Sequence, residues 1–152
     1  MRLAAACRRH ALKAVALLPL AASLSACGSG IALDEPIEGP VWRLVQMDGQ
    51  PVAPGSDPAR NPQLQFDRSA GRVSGSGGCN RLFGTYTRTG SQLRLSQIGA
   101  TKMACMDGGR NQLESRFIEV LQAAASYRLP AAGRMALLDA SGQTLAVFDA
   151  AR

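Results

Sequence analysis

Histidine is almost absent from this sequence of 152 residues, which contains only His10. Histidine is the commonest general base and metal ligand because its pKa lies near neutrality. If His10 leaves with the leader described below, the remaining chain has no Ser-His-Asp triad, no Cys-His pair and no histidine-containing zinc site. Asp107, Glu114 and Glu119 lack the arrangement of a glycosidase dyad, and we expect them at the solvated surface. The sequence therefore predicts a protein that is not an enzyme and holds no metal or cofactor.

A long apolar run is also missing. Residues 14–24 (AVALLPLAASL) are apolar and uncharged, but a helix that spans a bilayer needs about 20 such residues. The segment before them, residues 1–13, carries four cations and no acid. A basic start followed by a short apolar run is typical of a secretory signal peptide.

Residues 24–27 (LSAC) resemble the lipobox of bacterial lipoproteins. The resemblance implies cleavage before Cys27, a thioether-linked diacylglycerol on its sulfur and acylation of its new amino group. Several acyl chains together anchor a protein far more durably than one. The alternative is an ordinary signal peptide whose cleavage site precedes a cysteine by coincidence. Gly28 stands where inner-membrane lipoproteins of enteric bacteria have aspartate, so the resemblance implies the periplasmic face of the outer membrane.

These features divide the chain into a signal peptide (residues 1–26), a flexible tether (27–38) and one domain (39–152). The net charge of +6 falls to +2 without the leader, which holds four of the 17 basic residues and none of the 11 acidic ones. The remaining cations are scattered singly, so we expect no nucleic-acid partner. We expect a monomer that is held at the membrane by its lipid anchor and binds an envelope protein or a hydrophobic ligand.

Alternation of apolar and polar residues predicts short β-strands. Residues 89–91 and Ser141-Gly142 are turn signals for two hairpins. A six- to eight-stranded antiparallel sheet would expose edges that promote aggregation, so we expect a mainly β (α+β) fold that closes into a small barrel or half-barrel. The predicted strands are residues 41–47, 63–67, 72–76, 82–88, 92–95, 135–139 and 144–148.

One predicted helix interrupts the strands and packs on the sheet. We place its start at Asn111, which together with Glu114 fits a variant of the capping box. Apolar residues then recur at helical spacing and predict its buried face: Leu113, Phe117, Val120, Leu121 and Ala124.

Two cysteines remain after Cys7 leaves with the leader and Cys27 receives lipid. A single pair in an oxidising compartment predicts a disulfide between Cys79 and Cys105. A catalytic Cys79 would need a histidine, a cation or a helix N-terminus to lower its pKa. Arg81 follows closely but should point to the other face of its strand, so a structural role is favoured.

Two motifs, Gly78-Cys79-Asn80 and Thr101-x-Met103-Ala-Cys105, are specific in combination. With their flanking residues they resemble the META domain of HslJ-like heat-shock lipoproteins over about residues 39–149. The resemblance implies a lipocalin-like barrel with one helix and a link to heat or envelope stress, to tolerance of novobiocin and, in trypanosomatid parasites, to virulence. It implies no known reaction. The residues that carry it are Trp42, Leu44, Gly78, Cys79, Asn80, Gly84, Tyr86, Thr101, Met103, Cys105, Glu114 and Phe117.

Two further segments allow alternative interpretations. Residues 101–106 are either a methionine-lined contact surface or a strand whose methionines fill the end of the barrel, and the core interpretation is favoured. Glycines 75, 77 and 78 resemble a phosphate cradle, but no Lys-Ser or Lys-Thr pair follows them. A bulge or tight bend is the favoured explanation.

The function hypotheses come from different classes. We expect an outer-membrane lipoprotein of the envelope or heat-stress response that binds its ligand or partner through the barrel mouth or rim. The alternative is a periplasmic inhibitor of an exogenous lytic enzyme, which would present a charged loop. The candidate loops, Asp48-Gly49 and residues 88–90, are ordinary turns. An enzyme without histidine ranks last.

Replacement of Cys27 by serine should abolish metabolic labelling of the protein with palmitate, because serine has no thiol to form the thioether. Wild-type and Cys27→Ser proteins can be compared on one gel. Cys7→Ser is the matched control and should keep its label. Label that persists on the Cys27→Ser protein contradicts the lipidation prediction.

Overall fold

A computed structural model describes residues 36–103, 105 and 108–151 of the chain. The predicted signal peptide, Cys27, most of the predicted tether, Met106 and Asp107 lie outside the described residues. No helix within the described ranges is long and apolar enough to cross a membrane.

The described residues form nine strands, one α-helix and one short 3-10 helix. These are β1 (Val41–Met47), β2 (Gln50–Pro51), the 3-10 helix (Pro58–Arg60), β3 (Gln63–Asp67), β4 (Arg72–Ser76), β5 (Arg81–Thr89), β6 (Gln92–Ala100), α1 (Gly108–Ala123), β7 (Ser126–Ala131), β8 (Arg134–Leu138) and β9 (Thr144–Ala150).

The strands form one antiparallel sheet that curves into a ring. Each strand from β3 to β9 pairs with its neighbour in chain order, and β1 pairs with both β3 and β9. Among the strand pairs of the ring, β6 and β7 have the fewest residues in register, with one pair, Gln92 opposite Ser126. The predicted class, a mainly β barrel with one helix, is confirmed.

The seven predicted strands are all present, but the sequence pattern does not predict the two-residue β2 or β7. For β7 the reason is Pro130, because proline cannot donate to a β-ladder and is depleted from strand interiors. The register between β7 and β8 shifts between Arg128 and Ala131. Pro130 therefore lies at an irregularity, where sheets tolerate proline.

The start of the helix was predicted wrongly. α1 begins at Gly108, three residues before Asn111. Glycine is a weak helix former, so the pair Gly108-Gly109 resembles a loop when the sequence is considered alone.

Side chains fill the interior of the ring. A barrel of about eight strands is just wide enough for such filling. Large residues from the strands meet the apolar face of α1 there, and the rings of Phe117 and Phe148 lie 6.0 Å apart. The interior of the ring is therefore a packed core. The following residues are at most 2% exposed: Trp42, Leu64, Leu93, Phe117, Val120, Leu121, Met135 and Phe148.

The domain begins before the predicted boundary at residue 39. Ile37 is fully buried, and its carbonyl accepts a 2.7 Å hydrogen bond from the indole N–H of Trp42. Glu38 accepts a 3.0 Å hydrogen bond from the Tyr86 hydroxyl and lies 3.7 Å from the guanidinium of Arg88. These two residues, assigned to the tether from sequence, are therefore part of the folded domain.

The Tyr86 contact predicts a loss of stability in alkali. Burial and the neighbouring Glu38 carboxylate raise the pKa of Tyr86 from 10.0 to about 12. This contribution to stability is intact below pH 10 and is lost as the pH rises through about 12, because the unfolded tyrosine ionises first. Thermal unfolding followed by circular dichroism should show a shallower fall of Tm over this range for Tyr86→Phe than for the wild type. Identical slopes for the two proteins would contradict the role given to Tyr86.

Candidate functional site

The carboxylate of Glu114 lies at the centre of the residues that carry the family resemblance. Glu114 is 7% exposed, and its Oε2 accepts hydrogen bonds from the backbone N–H groups of Cys79 (3.2 Å) and Asn80 (2.6 Å). Its Oε1 accepts from the Asn80 side-chain amide at 2.7 Å. The expectations of a solvated Glu114 and of its role in a capping box were therefore wrong. Glu119, in contrast, is exposed as expected.

Residues 77–80 form a tight bend between β4 and β5. The side chain of Asn80 joins this bend to the segment after β6. Its Oδ1 accepts hydrogen bonds from the Thr101 hydroxyl (3.0 Å) and the Met103 N–H (2.6 Å). The Thr101 hydroxyl oxygen in turn accepts from the N–H of Arg81 at 3.1 Å. Asn80 therefore uses both ends of its amide inside the protein.

Two glycines allow the bend to approach Glu114. A Cβ atom on Gly77 would lie 2.5 Å from Cγ of Glu114, and Gly78 has a φ of +107°, which side-chain-bearing residues rarely adopt. The Gly77 N–H donates to the Asn80 carbonyl, and the Gly78 N–H donates to the Ser76 hydroxyl. Because all four N–H groups from Gly77 to Asn80 have partners within the protein, the tight-bend interpretation accounts for the glycines and leaves no donor for a phosphate.

The predicted disulfide between Cys79 and Cys105 is confirmed, with a Cα–Cα distance of 6.0 Å. It links the bend covalently to the loop before α1. The bend, the disulfide and their bonded partners are called the motif cluster here. Its members are Gly77, Gly78, Cys79, Asn80, Thr101, Met103, Cys105 and Glu114.

The remaining family residues lie outside the motif cluster. Trp42 and Tyr86 are in the core and bind the N-terminal segment. Gly84 lies opposite an irregularity in β6, where Gln97 has a φ of 54°. A Cβ atom on Gly84 would lie 2.6 Å from the Ile98 side chain. Leu44 and Phe117 are buried in the core. The structure thus brings together seven of the twelve residues that carry the resemblance and leaves the other five in packing roles.

The sequence model of the META domain matches residues 35–152. The chain belongs to the META-domain family.

Three solved structures resemble this META domain. One is an NMR structure of a protein from Burkholderia xenovorans, with 30% identity, a TM-score of 0.58, and coverage of 76% of this chain and 85% of that chain. A second NMR structure has 26% identity, a TM-score of 0.56 and coverage of 74% and 90%. A crystal structure of a DUF4847-family protein from Bacteroides vulgatus shares the fold, with 18% identity, a TM-score of 0.52 and coverage of 74% and 93%. No curated protein matches the chain.

A groove of about 500 Å³ runs along the outside of the motif cluster of this META domain. Gln63, Ser74 and Arg81 line it from the sheet, and Arg60 lines it from the 3-10 helix. The Met103 side chain also lines the groove and is 57% exposed. The prediction that Met103 fills the barrel end was therefore wrong, because its backbone binds Asn80 while its side chain faces outward.

An aromatic residue beside this groove was missed from the sequence. Phe83 on β5 is 54% exposed. Its inward-facing neighbours Leu82 and Tyr86 are buried, and successive strand residues point to opposite faces. The alternation of β5 was therefore a sufficient signal that Phe83 faces solvent.

Replacement of Glu114 by glutamine should destabilise this META domain by about 1–3 kcal/mol, because an amide would place an NH₂ group against donors that need an acceptor. Glu119→Gln is the matched control on the same helix. Glu119 is 63% exposed and pairs with Arg116, so its loss should change stability by no more than about 0.5 kcal/mol. Urea unfolding of both variants measures the difference, and equal effects would contradict the central role of Glu114.

Proposed function

We propose that this META-domain protein is an outer-membrane lipoprotein of the envelope or heat-stress response that acts without catalysis. In this proposal it binds a ligand or a partner protein in the groove beside the motif cluster. The observation that carries the proposal is that the side chains with catalytic potential in the motif are bonded to one another. The Cys79 sulfur is in a disulfide, and Asn80 and Glu114 bond each other, the bend and the segment after β6.

The groove itself has the composition of a contact surface. Asp57, the acid that lines it, pairs with Arg60 at 3.5 Å and accepts a hydrogen bond from the Ala59 N–H. Arg81 and Met103 project from a wall that the disulfide and the buried hydrogen bonds hold in position. A rigid wall with outward side chains favours binding, because little conformational entropy is lost when a partner docks.

The membrane anchor supports the same role. A tether at Cys27 would confine the domain to one surface, where a high effective concentration makes weak contacts sufficient. The stress response remains the expectation given by the family resemblance.

The inhibitor alternative gains no support from the two candidate loops. Asp48 receives two hydrogen bonds from the Arg116 guanidinium, at 2.7 and 2.9 Å, and this contact lowers the pKa of its carboxyl. The Arg88 guanidinium donates a 2.7 Å hydrogen bond to the Tyr127 hydroxyl and forms an ion pair with the Glu38 carboxylate at 3.7 Å. Both charges that an inhibitory loop would present are thus used in internal contacts.

Complementation of a deletion strain tests this function. Loss of the gene should sensitise cells to heat or to amphiphilic antibiotics such as novobiocin, and the wild-type gene should restore tolerance. The double variant Arg81→Glu, Met103→Asp should restore it poorly, because it changes two outward side chains of the groove without touching the buried hydrogen bonds. Cys27→Ser should also complement poorly, because the protein would lose its position at the membrane.

The matched control is Arg128→Glu, which reverses an exposed charge on β7, away from the groove. It should complement like the wild type, with equal protein levels on immunoblots. Full complementation by the groove variant would contradict the proposed site. Turnover of an envelope substrate by the purified protein, lost in a single folded variant of the motif cluster, would contradict the absence of catalysis.

A further inference from the structure

The outer face of β4, β5 and β6 presents one aromatic ring among polar side chains. Phe83 lies near its centre, opposite Ser74 on β4 and Gly99 on β6. Thr85 and Arg81 occupy the adjacent outward positions on its own strand, about 7 Å away along the chain. This outer surface is called the Phe83 face.

Gly99 determines the position of the Phe83 ring. A Cβ atom on Gly99 would lie 2.7 Å from Cε2 and 2.9 Å from Cζ of the ring. The ring therefore occupies the space of the missing side chain and rests on the backbone of β6, while about half of the residue stays in solvent. An aromatic ring supported from below and open above offers a fixed apolar surface to a ligand.

The strands of the Phe83 face carry charges of one sign. β4, β5 and β6 contain no acidic residue. Arg81 lies opposite Ser76, and Arg94 lies opposite Thr87. Two acids lie near Ser74, and each faces an arginine. Asp67 on β3 lies opposite Arg72 and also binds Ser69 and the Ala70 N–H, and Asp57 in the groove pairs with Arg60. Arg81 and Arg94 therefore leave the Phe83 face with positive charge that complements an anionic ligand.

We propose that the Phe83 face binds an oligosaccharide that carries carboxylate groups. A sugar ring has an apolar face that stacks on an aromatic ring and a rim of hydroxyl groups that bond to serine, threonine and arginine. The guanidinium forks of Arg81 and Arg94 pair with carboxylates. A purely apolar partner would leave these polar side chains without partners, which favours the sugar.

The inference rests on the proposed binding role and names its class of ligand. The Phe83 face and the groove share Ser74 and Arg81, so a chain of several sugar units could extend from one to the other.

Three probes separate the components of the proposed interaction. Trigalacturonate supplies sugar rings with carboxylates, galactotriose supplies the rings alone, and citrate supplies the charge alone. The protein is purified with its anchor in detergent and titrated with each probe, and backbone amide shifts are followed by NMR. Trigalacturonate should bind best and shift residues of β4–β6, galactotriose should bind more weakly at the same residues, and citrate should bind weakest.

Variants of Phe83 distinguish two roles of its ring: stacking against a sugar and packing over Gly99. Leucine covers the glycine but has no flat ring, so Phe83→Leu should weaken trigalacturonate binding about tenfold. Phe83→Tyr keeps the ring and should bind like the wild type. Arg81→Gln should reduce the preference for trigalacturonate over galactotriose, whereas Arg128→Gln on β7 should not. Thermal unfolding verifies that each variant is folded.

Several results would overturn the proposal: no binding of either sugar, wild-type affinity in a folded Phe83→Leu protein, citrate binding as tightly as trigalacturonate, or shifts confined to other strands. If the sugars fail to bind while the groove variant still fails to complement, the ligand class is wrong and the binding role stands. If the sugars bind as expected while the groove variant complements fully, the sugar site is supported and the role of the groove is wrong.

Discussion

The Glu114 carboxylate is buried and accepts three hydrogen bonds from the bend before β5. A buried carboxylate without donors costs several kcal/mol, so the helix and the bend are stable together only in an arrangement that supplies them. The donors, Cys79 and Asn80, lie 35 and 34 residues away in the chain. This interaction therefore fixes how α1 sits on the sheet. The disulfide to Cys105 and the Asn80 bonds to Thr101 and Met103 reinforce the same geometry.

A second, partly buried glutamate acts near the other end of β5, where Tyr86 and Arg88 contact Glu38. The two carboxylates differ in how many of their oxygens accept hydrogen bonds. Both oxygens of Glu114 accept hydrogen bonds, whereas Oε2 of Glu38 has no hydrogen-bond partner within the described part of the chain. Glu114 therefore joins the helix to the sheet through both of its oxygens, whereas Glu38 contacts Tyr86 and Arg88 through one.

Local patterns in the sequence were sufficient for most of the sheet. β1, β3 and β4 have the predicted bounds, because their apolar alternation agrees with their burial in the fold. Local patterns failed where a distant contact decides the structure. Pro130 is accommodated by a register shift that the chain alone does not reveal, and the partners of Glu114 come from a separate loop. Glu114 precedes Phe117 by three residues and Leu121 by seven, so an acid within the apolar stripe was the available signal that it faces inward.

Most of the residues that identify the family point into the protein, whereas those proposed to contact a ligand point outward. Gly78, Asn80 and Glu114 face one another inside the protein, and their chemistry specifies a folded bend. Arg81 and Phe83 follow that bend on the outer face, and neither is among the residues that carry the resemblance. Met103 spans both groups, with its N–H on Asn80 and its side chain in solvent. Family membership therefore establishes the scaffold, and the proposed ligand would depend on outward residues that can change without loss of the buried hydrogen bonds.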